Sequence, residues 1–438
     1  MARVVVVGGG FGGMAAAARL AKLGHEVTLL ERSERLGGAL TTVEHDDFAW
    51  DAGPTSTLLP AVVRDLFRKS GRPLEREVDL QPLDVVREHR FADGSSLVLP
   101  GGSRAAQLAA FDELGAGLGQ QWVDHVASYG EPWELLRKEW YERPFDADVA
   151  PSELLRLLER RESLHRRLRR TLGDERLRLV AGHRVVMDGH DPRDAPVIAG
   201  VDVYLEQRFG AWTVPGGLAA LGTAMADRLA LRRVTVLTGT PAADLVVRAD
   251  HVVAVRTADG DELDADVVVV AVDPRRLPAL ASHVRRTRAA CPPAVCHVAL
   301  EGDLPDLTHE VVLHGDPLLV VRTGGRAPDG AAAWTVLARG RLGEDLLTAL
   351  ARRGLDVRRQ VVARIDRTPR DLVEAWGGSP HGVLWQGPRS ARTRLGPRTP
   401  IEGVLTAGAH ATTGSGLPFA GLSAALVAEM VGRAELRR

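Results

Sequence analysis

Cysteine is nearly missing from this 438-residue chain, with Cys291 and Cys296 its whole supply. Two thiols exclude a disulfide framework and a thiolate zinc site, and they fit a reducing cytoplasm. They flank Pro292-Pro293 without the CxxC spacing of a redox pair. Lysine is scarce too, present only at 22, 69 and 138, so arginine carries the basic charge. Basic residues number 56 against 57 acidic ones, a net charge of −1, which excludes a bulk field for nucleic acid. No apolar run is long enough to span a bilayer. The N-terminus lacks the charged-then-apolar layout of a secretion signal, and Val4 to Val7 are better used as a strand. The expectation is a cytoplasmic protein without a metal, in contact with a membrane at most peripherally. The length leaves room for two full cores.

What is present begins at once. Val4-Val5-Val6-Val7 runs into Gly8-Gly9-Gly10-Phe11-Gly12-Gly13, and a second apolar run, Val27-Thr28-Leu29-Leu30, ends at Glu31. Strand, glycine turn, helix over 14–23, strand and acid follow in the order of a dinucleotide-binding βαβ unit. Gly8 permits the tight turn, Gly10 lets backbone approach a pyrophosphate, and Gly13 lets helix pack on strand. The helix points its first amides at the phosphates, and Glu31 accepts from ribose hydroxyls.

The next segments favour FAD over NAD. A second glycine pair, Gly37-Gly38, allows another close approach that a plain NAD fold does not need, and Asp51-Ala52-Gly53-Pro54-Thr55 makes a rigid turn. Far downstream, Val404-Leu405-Thr406-Ala407-Gly408-Ala409 reads as a strand ending in glycine. The loop Gly414-Ser415-Gly416-Leu417-Pro418 and a small-residue helix over 419–431 follow. A helix N-terminus placed this way stabilises the negative pyrimidine ring of a reduced flavin.

On these residues the chain resembles the FAD-dependent phytoene desaturase (carotenoid desaturase) family, within the wider amine oxidase and glutathione-reductase-like superfamily. The resemblance spans nearly the whole chain. It adds Gly173-Asp174-Glu175-Arg176-Leu177-Arg178, Trp212-Thr213-Val214-Pro215-Gly216-Gly217, and Gly377-Gly378-Ser379-Pro380-His381-Gly382 with Arg398-Thr399-Pro400, all in the family's order. It implies an α/β fold with a Rossmann-type FAD-binding domain, glutathione-reductase-like, interleaved with an α+β substrate domain. Carried over, Gly10, Gly12 and Gly13 meet the pyrophosphate, with Gly8 and Phe11 also among the cofactor-binding residues, and Glu31 with Arg32 meets the adenosine ribose. Gly37, Gly38, Ala39 and Leu40 run along the pyrophosphate and ribityl chain, with Gly53, Pro54 and Thr55 near the isoalloxazine. Ala242 contacts adenine through its backbone, and Gly408, Ala409, Gly416 and Leu417 close over the ribityl and pyrimidine end. Two positions depart from the family. Ala39 stands where the amine oxidase branch often has Arg, and Thr412-Thr413 stands where a His-Pro pair is common, with His410 nearby. These departures bear on the substrate rather than on FAD.

The activity implied is abstraction of hydride to flavin N5 from a hydrophobic isoprenoid or polyene, in a long apolar tunnel, with oxygen, a quinone or another acceptor reoxidising the flavin. Flavin amine oxidation is a second reading, opposed by the lack of any Lys after Lys138 or Tyr after Tyr204, although Trp334, Trp376 and Trp385 remain. Polyene isomerisation or saturation, or a non-catalytic flavin-fold binding protein, are further readings. Two residues are candidate catalytic groups: His410 is either an acid, base or polariser or simply solvated, and Trp212 lies either by the flavin or in the core. From Arg156 to Arg178 nine arginines face four acids among regularly spaced leucines. That segment is either a basic surface for anionic lipid or a core stripe with a solvated face.

The domains are expected to interleave, with 1–85, 210–275 and 376–438 binding FAD and 86–209 and 276–375 binding substrate. Within 86–209 the pattern reads as helical, with helices over 103–129, 132–141 and 152–171. A helix over 218–229 precedes a strand pair, 234–237 and 244–247, and a hairpin turning at Asp259-Gly260. Apolar runs at 295–300, 310–313, 318–322 and 334–338 predict an antiparallel sheet, covered by a helix over 343–353.

Overall fold

The computed structural model describes residues 1–434. Its first strand, Arg3–Val7, buries valines on both faces: Val4 and Val6 enter one core, Val5 and Val7 another. A strand buried on both faces suits the middle of a parallel sheet. It lies at the centre of five parallel strands, ordered Val404–Thr406, Val267–Val270, Arg3–Val7, Glu26–Leu30 and Thr235–Leu237. The helices Phe11–Lys22, Ala219–Leu231 and Leu417–Val431 cover one face. Ala15 to Ala18 are wholly buried, small enough for Leu417–Val431 to lie close against the first helix. A three-stranded antiparallel sheet, Ala242–Arg248, His251–Thr257 and Glu262–Asp264, covers the other face.

A second sheet has seven strands, ordered Val361–Arg367, Ala294–Glu301, Ala331–Arg339, Leu318–Gly325, Glu310–Leu313, Val85–Arg90 and Ser96–Pro100. All neighbours are antiparallel except Glu310–Leu313 and Val85–Arg90. Val298, Val311, Val321 and Val336 point to one side, where Leu346–Arg352 packs. Helices between Arg104 and Phe209 form a separate layer around the cores built on Trp122 and Trp133.

Several expected elements differ. The helix over 103–129 is two, Arg104–Leu114 and Leu118–Ala127, because Gly115 ends the first and Gly117 takes φ +80°. That over 152–171 breaks into Ser152–Leu158 and Leu164–Thr171 at the charged run Glu159-Arg160-Arg161-Glu162. Ser163 caps the second piece by accepting from the Arg166 N–H. The stretch 86–209 is not helical throughout, since Val85–Arg90 and Ser96–Pro100 make a hairpin about Asp93-Gly94. The strands near 234–237 and 244–247 are not partners. Thr235–Leu237 extends the parallel sheet, while Ala242–Arg248 pairs with His251–Thr257 after Gly239, at φ +61°, and Pro241 redirect the chain. Leu154, Leu158, Leu164, Leu168 and Leu172 are all buried, so the leucine stripe belongs to the core. Arg160 and Arg170 meanwhile pair with Glu162. Residues 435–438 of the expected third cofactor segment lie outside the described residues.

Candidate functional site

The C-terminal ends of the parallel strands open into a cleft of about 850 Å³. Its floor is the first glycine turn. Gly8 sits at φ +105°, and a Cβ there would meet Val272 at 2.6 Å. Gly13 packs so closely that its Cβ would lie 1.9 Å from the Gly8 carbonyl oxygen. Gly10 is the opposite case: no protein atom comes within 4 Å of where its Cβ would be. Gly10 is also the N-cap of Phe11–Lys22, and no side chain caps that helix. Bare backbone, unsatisfied first-turn amides and open space together make an anion cradle.

The walls hold this floor in place. Glu31 accepts from the Gly9 N–H at 2.7 Å and from the Ser33 N–H at 2.8 Å, tying the glycine turn to the end of the second strand. The Gly37 N–H donates to the Gly9 carbonyl at 2.9 Å, so the second glycine pair lies directly on the first. Asp51 accepts from the Leu218 and Ala219 N–H groups, both at 2.9 Å, and so caps the helix Ala219–Leu231. This explains Gly217, at φ +117°, whose Cβ would fall 2.9 Å from Asp51 Oδ1. The far wall is the N-terminus of Leu417–Val431, which has Gly416 as N-cap and again no side-chain cap.

Gly8, Gly10, Phe11, Gly12, Glu31, Gly37, Gly38, Ala39, Leu40, Pro54, Gly408, Ala409, Gly416, Leu417 and His410 all line the cleft. Six expected site residues do not, and each has a structural task instead. Gly13 is buried in the helix–turn contact. Arg32 donates to the carbonyls of Glu374 and Ala375, fixing the end of the helix Pro369–Trp376. Gly53 packs on Ala39 and accepts from Arg322 at 3.2 Å, while the Thr55 carbonyl accepts from the Thr213 hydroxyl at 2.8 Å. Ala242 pairs with Thr257 in the covering sheet. Trp212 donates to the Phe209 carbonyl at 2.7 Å, under the guanidinium of Arg64.

His410 is buried in the cleft wall, and neither ring nitrogen has a hydrogen-bond partner among the described residues. Burial lowers its pKa and the nearby Asp273 carboxylate opposes this, so the ring is neutral at neutral pH. Sequence reasoning missed Asp273, the 375–380 wall as lining, and Arg184, all of which face the cleft. Arg184 comes from the helix Glu175–Met187 and pairs with Asp202 at 3.2 Å. Only the fold brings it here.

Beyond the cleft lie two small cavities of about 80 and 20 Å³, with charged groups in their walls. Beneath them Arg322 pairs with Glu310 at 2.9 Å, Glu310 with Arg87 at 3.2 Å, and Arg87 with Glu206. Burial alone would raise Glu310, but Arg322 and Arg87 overcome it and hold the carboxyl at about 2.

The cradle, the paired glycine turns and the two uncapped helix ends fit FAD. The pattern of the flavin containing amine oxidoreductase family matches residues 11–431. Hydroxyneurosporene desaturase of Cereibacter sphaeroides is 29% identical over 98% of this chain and 97% of its own. The 4,4'-diapolycopene oxygenase of a Methylomonas species is 24% identical over 98% of each chain. Cyclohexylamine oxidase from Brevibacterium oxydans shares the fold with a TM-score of 0.65 at 17% identity, covering 98% of this chain and 99% of that one. With its cofactor cleft and a match running from residue 11 to residue 431, the chain belongs to the flavin containing amine oxidoreductase family.

Proposed function

We propose that the protein is a FAD-dependent dehydrogenase of a hydrophobic isoprenoid or polyene, converting a C–C single bond beside a double bond into a further C=C bond. The observation that carries this reading is the end-to-end likeness to hydroxyneurosporene desaturase, 29% identical over 98% of this chain. FAD, when bound, supplies a two-electron acceptor for the C–H bond. The chain's own residues bind and orient it. The uncapped first turn at Phe11 and the bare Gly10 would hold the pyrophosphate, Glu31 would hold the ribose, and the uncapped helix end at Leu417 would favour negative charge on the reduced flavin. Neutral His410 is a group in the cleft wall able to hold or take a proton at a ring nitrogen.

In this reading 1–85, 210–275 and 376–438 carry the cofactor, and 86–209 and 276–375 carry the substrate. The division is supported by the parallel sheet falling in the first set and the seven-stranded sheet almost wholly in the second. The two thiols support a reducing, cytoplasmic location. Contact with a membrane surface would rest on the outward arginines of 156–178, since among the described residues no helix is long and apolar enough to cross a bilayer.

Amine oxidation has one feature in its favour: Trp140, Tyr141, Trp385 and Phe419 gather round the 80 Å³ cavity. However, Arg394 already lies 3.9 Å over Trp385 there, and a second cation would be repelled. Anaerobic titration with polyenes and with amines tests the choice. Bleaching of the flavin by a polyene, with product two hydrogens lighter, supports dehydrogenation. Oxygen gained under air indicates oxygenation, and bleaching by amines alone overturns the reading.

A further inference from the structure

The wall of the 80 Å³ cavity includes a cation, Arg394, that has no counter-ion among the described residues. The Arg394 guanidinium stacks on Trp385 and donates from Nη2 to the Val383 carbonyl at 3.0 Å. Its Nε is buried with no partner, and among the described residues no carboxylate pairs with it. The two acids in the same wall are already matched, Asp188 to His381 at 3.0 Å and Asp202 to Arg184 at 3.2 Å. Burial lowers Arg394 to about 10, which still leaves it charged at neutral pH.

We propose that this cavity seats a carboxylate at the end of the substrate, with Arg394 as its counter-cation, so that the substrate is an isoprenoid or polyene acid. The inference deepens the polyene reading above and rests on it. A desolvated cation is stabilised by an anion and left uncompensated by a neutral hydroxyl or a hydrocarbon end. The guanidinium fork matches a carboxylate in two parallel hydrogen bonds, and stacking on Trp385 fixes its plane beforehand. His190 adds a donor. Its Nδ1 accepts from the Trp385 N–H at 3.3 Å, which leaves the proton of the neutral ring on Nε2.

Size and place agree with an end group. A volume of about 80 Å³ takes roughly half a dozen non-hydrogen atoms, enough for a carboxylate and its neighbouring carbons but not for a chain. One loop serves both sites. Gly408, His410 and Gly416 line the cofactor cleft, while Thr412, Thr413 and Ser415 line this cavity.

The test is a titration of the FAD-loaded protein with all-trans-retinoic acid and with all-trans-retinol, read by quenching of tryptophan fluorescence. The expected result is that the acid binds about tenfold or more tightly than the alcohol. Arg394→Gln removes that preference while leaving retinol binding in place, and Arg394→Lys restores part of it. The wild-type comparison needs no variant to fold. Equal binding of acid and alcohol, or a preference that survives Arg394→Gln, overturns the end-group assignment and leaves the polyene reading standing. No binding of either retinoid, with amines bleaching the flavin, overturns both.

Discussion

The imidazole of His410 stands with Nδ1 3.9 Å from Oδ1 of Asp273, whose carboxylate is held at 2.9 Å by Arg275. The pair sits in the cleft wall, against Gly378. Burial disfavours a proton on the ring and the carboxylate favours one. His410 should therefore titrate below the ordinary histidine range, and Asp273→Asn should lower it further. Proton NMR of the histidine ring signals in wild type and variant checks this. A His410 signal that titrates higher in Asp273→Asn would contradict the arrangement.

Gly10 and Gly13 separate cofactor binding from folding. Gly13→Ala drives a methyl onto the Gly8 carbonyl at 1.9 Å and should cost about 1–3 kcal/mol of stability. Gly10→Ala meets no protein atom within 4 Å, and the backbone there, at φ −69°, accepts alanine. This variant should melt like the wild-type apoprotein yet bind FAD about tenfold or more weakly. Thermal melts and FAD titration of both variants give the comparison.

That contrast shows what was legible in the sequence. Gly8, Gly10 and Glu31 declare themselves because the turn, helix and acid lie on one short local unit whose geometry the chain alone determines. Local resemblance said less about orientation. Gly53 and Thr55 belong to the right segment but face Arg322 and Thr213, and Arg32 is spent on a helix end more than 340 residues away. Arg184 and Asp273 were not legible, because helix and sheet packing bring them in from distant segments. The hairpin at Asp93-Gly94 did carry a turn signal, which the surrounding helical trend masked.

The buried charges under the small cavities should behave as one unit. Arg87 pairs with both Glu206 and Glu310, and all three side chains are nearly wholly buried. Arg87→Leu alone leaves Glu206 without its partner and Glu310 with Arg322 only, and should cost about 3–5 kcal/mol. Replacing Glu206 and Glu310 by Gln in the same chain should recover much of that loss. Denaturant melts of the single and triple variants are the check, and additive losses would argue against a coupled network.

Stability should fall on mild acidification. His89, His314 and Phe91 stack on one another and His183 meets His89 edge-on; burial lowers all three histidines, His183 to about 3 and His314 to about 4. Unfolded histidines take up protons below about pH 6.5 while these stay neutral, so the unfolded state binds more protons and gains. Each therefore takes stability away as pH falls below about 6.5, where the unfolded ring is protonated and the buried one is not. Glu310 adds a loss in the same direction as pH falls from the ordinary carboxylate range towards about 2. Denaturant midpoints at pH 7.5, 6 and 5 should drop in order, and a flat series would contradict neutral burial of the cluster.

The most direct measurement is anaerobic titration of the purified protein with a polyene panel, following the visible flavin band. The expected result is a yellow protein that releases FAD on denaturation and whose band bleaches with a polyene, yielding a product with one more double bond. A protein that cannot be loaded with FAD, or one whose band bleaches only with amines, would contradict it.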